Sequence, residues 1–119
     1  MVHEEKKVGK IVEELTMFFF AIGSNKMSSC IEREGHTVKI QFRSNYQPDY
    51  RHAIDTLEKY LDEPKNEGME DIYWELAGSG DPGEGSQLLL IGMMVDRHKV
   101  TRYDDNNEVE VILYKELLF

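Results

Sequence analysis

The residues of this sequence that come closest to a ligand-binding motif form a glycine-rich stretch. Residues 78–86 read GSGDPGEGS and precede an apolar segment, QLLLIGMMV. Glycines ahead of a helix let the backbone approach an anion, and the N–H groups at the helix start point toward it. Such a pattern is typical of phosphate binding. However, the GK[ST] of a P-loop is missing, no buried parallel strand leads in, and Asp81 and Glu84 place negative charge inside the stretch. A flexible loop followed by a helix start is the more ordinary interpretation.

Two further residue sets are candidates for catalysis or metal binding. Glu14 can act as a general base, although adjacent glutamates such as Glu13 and Glu14 on an amphipathic helix more often form a solvated face. The four histidines are dispersed, without HExxH or another helical pair, so no metal site is predicted. Cys30 has no local motif that would make it a nucleophile, and a small strand residue is the simpler interpretation.

Hydrophobic periodicity places these residues on an alternating set of helices and strands. Apolar residues from Val8 to Ile22 recur at helical spacing, and Gly23 follows as a stop. In residues 36–44, Val38, Ile40 and Phe42 alternate with polar residues, as in a strand with one buried face. The other predicted elements are a strand at 28–34 with a turn at Gly35, a helix from Pro48 to before Pro64, a short helix near 69–77, a buried helix after the glycine-rich stretch, and strands near 97–104 and 108–115. This order predicts an α+β fold, a two-layer α/β sandwich with helices packed on one face of a mixed or antiparallel sheet.

Length and charge narrow the class of protein. The chain has 119 residues, which fits a single domain over 1–119, and its formal net charge is -9. Nucleic acid and anionic membrane both demand a basic surface, so neither is an expected partner. The single Cys30 points to a reducing compartment, the charged start MVHEEKKVGK is not a signal peptide, and no apolar run reaches the length of a membrane span. We expect a cytoplasmic protein.

A glutamate on the first helix, the residues after the strand at 36–44 and a Gly-x-Gly before a later helix follow one another along the chain. Glu14 lies on the first helix, the strand of residues 36–44 is followed by Asn45 and Tyr46, and Gly83-Glu84-Gly85 precedes a helix that closes with Asp96. In this order the chain resembles the ATP-binding domain of histidine kinases, gyrase, the ninety-kilodalton heat-shock chaperone and anti-sigma-factor serine kinases, and is most similar to the last of these. The resemblance covers most of the chain. It implies a histidine-kinase-type ATPase fold, with Glu14 as the catalytic base of an active member.

The sequence departs from this family where the family holds its nucleotide. Phe18 stands at the position of the Asn that binds magnesium, and Phe18 has no oxygen for a hard cation. Ser44 replaces the Asp that accepts a hydrogen bond from the adenine amino group, and Tyr46 replaces the Gly that leaves room for the base. The resemblance therefore implies a degenerate nucleotide site, in which Ser44, Gly83 and Gly85 are the nucleotide-binding positions if any binding is retained.

Three functions remain open at this point. The resemblance implies a non-enzymatic regulatory or protein-interaction domain of bacterial type, without a cofactor and with a protein partner, a homodimer being one such arrangement. Met17 and Phe20, beside the apolar stripe of the first helix, are the predicted interface residues because Met and aromatic residues are enriched at interfaces. The alternatives are an active protein serine kinase that uses Mg-ATP, and a small-molecule sensor.

Overall fold

Two helices and four strands make up most of the described chain, which in this computed structural model comprises residues 4–62, 91–92 and 94–117. The helices are α1 (Glu4–Ala21) and α2 (Arg51–Leu61), and the strands are β1 (Met27–Glu34), β2 (Thr37–Asn45), β3 (Arg97–Tyr103) and β4 (Glu108–Glu116). Short 3₁₀ turns at Pro48–Tyr50 and Asp104–Asn106 precede α2 and β4, and Ile91, Gly92 and Met94 are also helical. The strands form one antiparallel sheet in the order β1-β2-β4-β3. The predicted α+β sandwich is thus confirmed at this level, with an antiparallel sheet.

The core lies between the two helices and one face of the sheet. Every second residue of β2 and β4 is buried, as the alternation in residues 36–44 predicts. The register sets Phe42 opposite Val111 and Ile40 opposite Leu113, so the two central strands present one continuous apolar face. Phe19 of α1 stacks on Phe42 with ring centroids 5.5 Å apart. Removing such side chains from water is the main source of stability in a domain of this kind.

Two glycines end α1 and turn the first hairpin. Gly23 has a φ of 83°, and the N–H groups of Gly23 and Ser24 donate to the carbonyls of Phe20 and Phe19. This pair of bonds is the Schellman motif, which satisfies the last carbonyls of a helix. Gly35, with a φ of 63°, occupies the first position of the two-residue β1–β2 turn, where the hairpin requires a left-handed residue. Both predicted chain reversals are therefore confirmed.

The outer face of the sheet is polar and paired within itself. Arg43 donates to Glu108 at 3.0 Å, and Gln41 donates to Glu110 at 2.9 Å. The Arg43 guanidinium also lies over the ring of Tyr103, 4.7 Å from its centroid. Cross-strand pairs of this kind stabilise a solvated sheet face. The predicted short helix near 69–77 and the glycine-rich stretch lie outside the described residues.

Candidate functional site

Glu14, the predicted base, is held by a neighbouring lysine on the same helix. Glu14 is buried, and its Oε1 lies 2.9 Å from Nζ of Lys10. The hydrogen bond to Glu14 raises the pKa of Lys10, with the nearby charges of Glu14 and Glu13 adding to the effect. Phe18, one turn further on, is partly buried and meets Phe19 edge-on at 5.1 Å between centroids. The contacts of Glu14 and Phe18 are therefore those of an ordinary folded helix.

Ser44 takes part in a buried hydrogen-bond cluster at the end of α1. Its Oγ lies 2.7 Å from Oγ of Ser24 and donates to the carbonyl of Asn45 at 2.8 Å. The side-chain oxygen of Asn45 in turn accepts bonds from Ser24 and from the backbone N–H of Asn25 and Lys26. The cluster fastens the loop after α1 to the end of β2.

Tyr46 and Asp104 join the loop after β2 to the turn before β4. Tyr46 is buried, and its hydroxyl donates to Oδ1 of Asp104 at 2.8 Å. This bond, and then the charge and hydrogen bond of Arg102, hold the pKa of Asp104 below its usual range. Burial, followed by the bond to Asp104, raises the pKa of Tyr46. Arg102 also pairs with Asp55 and Glu58, so the same network fixes α2 against β3.

Ser44 and Glu14, the two described positions of the predicted nucleotide site, lie apart in the fold. Ser44 lies beside Ser24, beyond the end of α1, whereas Glu14 lies seven residues before Ala21, which is about 10 Å back along the helix axis. Asp96 accepts the backbone N–H of Glu116 at 2.6 Å. Gly83 and Gly85 lie outside the described residues, as do Asp81 and Glu84.

The most open part of the described fold is β1. Met27 is partly buried, and all of the remaining residues of this strand are exposed, although the strand is paired with β2 along its whole length. Ile31 lies opposite Ile40 and so faces the helix layer, yet its side chain is 51% exposed while Ile40 is fully buried. In the sheet order β1 is an end strand, and α1 packs mainly against β2, with the carboxylate of Glu5 reaching the guanidinium of Arg33 in β1 at 3.8 Å. The strand therefore offers one edge and two faces to a partner.

The end of α1 extends this open surface. Met17 is 48% and Phe20 is 60% exposed, the latter the largest value among the exposed apolar residues of the described chain. Phe20 and Thr16 form one wall of a shallow groove of about 440 Å³, and Met27 and Ser29 of β1 form the other. We call this surface, made of β1 with Met17 and Phe20, the β1 face.

The remaining candidate residues form no catalytic or metal centre within residues 4–62, 91–92 and 94–117. There, no three His, Cys, Asp or Glu side chains are arranged to hold a metal ion. His98 pairs with Asp62 at 2.9 Å, and Cys30 is an exposed strand residue. No helix in this part of the chain is long and apolar enough to cross a membrane.

The sequence predicted Met17 and Phe20 as interface residues, and both side chains are exposed, but it did not indicate the exposure of β1. Which strand lies at the sheet end depends on the pairing of β4 with β2, residues far apart in the chain. The available signal was local: in SSCIERE the two apolar residues, Cys30 and Ile31, are adjacent and so point to opposite faces, and neither face of the strand has an apolar stripe.

Compared with known proteins, the chain matches no protein-family model, no curated protein and no solved structure.

Proposed function

We propose that this chain is a non-enzymatic protein-interaction module that binds its partner through the β1 face. The observation that carries the proposal is the exposure of β1 on both faces at the end of the sheet. A long end strand exposes a row of backbone donors and acceptors, and native proteins usually blunt or cover it. Partners that add a strand to such an edge are a recurring mode of recognition.

Exposed apolar residues beside the edge add to this support. Phe20 and Met17 belong to residue types enriched at interfaces, and they stand next to the open backbone of β1. The polar outer face of the sheet, by contrast, is already satisfied by its own pairs such as Arg43 with Glu108. The β1 face thus combines exposed apolar side chains with an open strand edge, and both properties favour binding of a partner.

We further propose that the chain is a degenerate relative of the histidine-kinase-type ATP-binding domain. The buried roles of Ser44 and Tyr46 in the fold support the loss of the nucleotide site. A thermal-shift titration with Mg-ATP and Mg-ADP tests this, with no change in melting temperature expected. A ligand at one hundred times its Kd would stabilise the fold by about 2.7 kcal/mol. Stabilisation that Glu14→Ala or Gly85→Val removes would contradict the degenerate site and support an active kinase.

Photocrosslinking tests the interaction function directly. With Phe20 replaced by photoreactive p-benzoylphenylalanine, irradiation in an extract of the source organism should give protein adducts of defined mass. The same residue at Lys59, exposed on α2, is the matched control and should give few. Equal labelling from both positions would show that the β1 face is no preferred binding surface.

A further inference from the structure

We propose that the partner of the β1 face is a second copy of this chain, with the two β1 strands paired antiparallel about a twofold axis at Cys30. The joined sheet would have eight strands, in the order β3-β4-β2-β1-β1-β2-β4-β3. This inference rests on the proposed interaction function and names its partner and its register.

The backbone of β1 determines which groups are offered to a partner. The N–H of Asn45 donates to the carbonyl of Lys26 at 3.2 Å, which identifies these two residues as a hydrogen-bonded pair of the β1–β2 ladder. Such pairs alternate with pairs whose backbone groups point away from each other. The even-numbered residues of β1 therefore bond to β2, and the odd-numbered residues direct their N–H and C=O groups to the open edge: Met27, Ser29, Ile31 and Arg33.

One register uses all of these outward groups. With Cys30 opposite the partner's Cys30, Ser29 pairs with the partner's Ile31, and Met27 pairs with the partner's Arg33. Every outward-facing residue is then in a hydrogen-bonded pair, and at two bonds each the four pairs give about eight hydrogen bonds. A shift of the axis to Ser29 or to Ile31 leaves only three such pairs.

The charges along β1 agree with the same register. Lys26 and Glu34 are both exposed and flank the strand at opposite ends. With the axis at Cys30, Lys26 lies opposite the partner's Glu34, and the symmetry repeats this pair. Glu32 then faces the partner's Ser28, so no like charges stand directly opposite. An axis at Glu32 would instead set two glutamates against each other, which is unfavourable in cross-strand pairs.

The exposed apolar residues would be covered by the same arrangement. Ile31 lies on the helix-facing side of β1 with a half-exposed side chain, and Phe20 of α1 lines a groove together with Met27 and Ser29. Pairing brings a second α1 to the other side of the joined strands.

Light scattering after size exclusion, with backbone-directed variants, tests the pairing. The wild-type chain should elute with twice the mass of one copy. Ser29→Pro removes an outward N–H and should raise the dimer Kd at least about tenfold while leaving the monomer folded, since proline is tolerated at such edge positions. Ser28→Pro removes a bond to β2 and should instead lower the melting temperature. Ile31→Lys alters only an exposed side chain and should also weaken the dimer. This variant keeps the pairing testable if Ser29→Pro fails to fold.

A charge exchange tests the register independently. At 0.15 M NaCl, where the repulsion between the net charges is screened, Lys26→Glu and Glu34→Lys should each weaken the dimer about three- to thirtyfold, from two exposed pairs turned repulsive. The double variant should return to the wild-type Kd. Within one chain these residues lie roughly 27 Å apart along the strand, so the recovery reports on pairing between copies. Lys59→Glu changes the net charge equally with Lys26→Glu and should have a smaller effect.

The cysteine provides the third measurement. In a non-hydrogen-bonded antiparallel pair the Cα atoms are about 4.5 Å apart, within the range of about 4.4–6.8 Å that a disulfide spans. Native oxidation with copper phenanthroline should therefore link wild-type chains at least about tenfold faster than Cys30→Ser carrying Ser29→Cys or Ile31→Cys. Faster linkage at either neighbouring position would overturn the register.

The outcomes separate this inference from the function on which it rests. A purified chain that stays monomeric up to about millimolar concentration, or a dimer unaffected by Ser29→Pro and Ile31→Lys, overturns the pairing. If photocrosslinks from position 20 to other proteins still form in extract, the interaction function stands with a different partner. If those adducts are also absent, both proposals fall.

Discussion

The Tyr46 hydroxyl, 2.8 Å from Oδ1 of Asp104, has a structural role that the sequence did not indicate. Its position after β2 matched the place where the ATP-binding family has a glycine, which suggested that the ring would fill a base pocket. In the fold the ring is buried in the core, and the hydroxyl bonds to the turn before β4. The partner, Asp104, lies 58 residues away in the chain, so no local pattern indicated this bond.

Replacing Tyr46 by Phe should weaken the fold most at neutral pH. The bond lowers the folded-state pKa of Asp104 below the ordinary value of an aspartate, so its stabilisation is present above that ordinary value and is lost as the pH falls through the folded-state pKa. Tyr46→Phe should lower the urea midpoint at pH 7, and the difference from wild type should shrink toward pH 2. Tyr50→Phe, at an exposed ring, is the control and should change neither midpoint. An equal loss at both pH values would show that Asp104 is not the group concerned.

Among the elements, those with local signals are the ones that the sequence predicted well. The alternation of Val38, Ile40 and Phe42 indicated β2, and the stripe from Val8 to Ile22 indicated α1, because burial follows directly from periodicity there. Lys115 shows the limit of such reasoning. Alternation in β4 turns it inward, although its charge suggests solvent, and it is fully buried with Nζ donating to the carbonyl of Met94 at 3.0 Å.

Glycine-to-alanine substitutions inside α1 and at its end should change the stability of the fold in opposite directions. Gly23→Ala should destabilise the fold by about 1–2 kcal/mol, because a left-handed conformation is costly for a residue with a Cβ. The added Cβ would also clash with Cγ of Gln47. Gly9→Ala, inside α1 with nothing within 4 Å of the new Cβ, should stabilise the fold by up to about 1 kcal/mol. Urea unfolding of both variants decides the matter, and a neutral Gly23→Ala would contradict the assigned C-terminal motif.

One guanidinium, that of Arg102, joins α2 to β3 beside the hydrophobic contacts of the core. Arg102 of β3 is paired with Asp55 and Glu58 of α2 and with Asp104, and these partners raise its pKa above the ordinary value. Arg102→Met should lower the free energy of unfolding by about 1–2 kcal/mol, since charged hydrogen bonds are lost and three carboxylates are left close together. Arg102→Lys should recover only part of this loss, because an ammonium lacks the planar fork.

Arg43→Met is the control for the Arg102 substitutions. Arg43 pairs with Glu108 on the exposed outer face, where water screens the interaction. Its removal should cost less stability than that of Arg102. Equal losses would mean that the network at α2 contributes no more than an ordinary surface pair.

At the scale of the whole molecule, the formal charge of -9 opposes the proposed pairing of two copies. Domain sizes place the two centres about 28 Å apart, at which distance two charges of this size repel by about 10 kcal/mol in water before screening. The Debye length falls from about 30 Å at 0.01 M salt to about 8 Å at 0.15 M, so screening removes nearly all of that repulsion. The pairs of Lys26 with the partner's Glu34 contribute about 0.2–1 kcal/mol each.

Because the repulsion is the larger quantity at low salt, the dimer should tighten as salt is added. Sedimentation equilibrium at 0.01 M and 0.15 M NaCl should show the Kd falling at least about tenfold. Lys59→Glu, which makes each copy more negative away from the β1 face, should steepen this dependence. A Kd that rises with salt would mean that the local charge pairs outweigh the net charge.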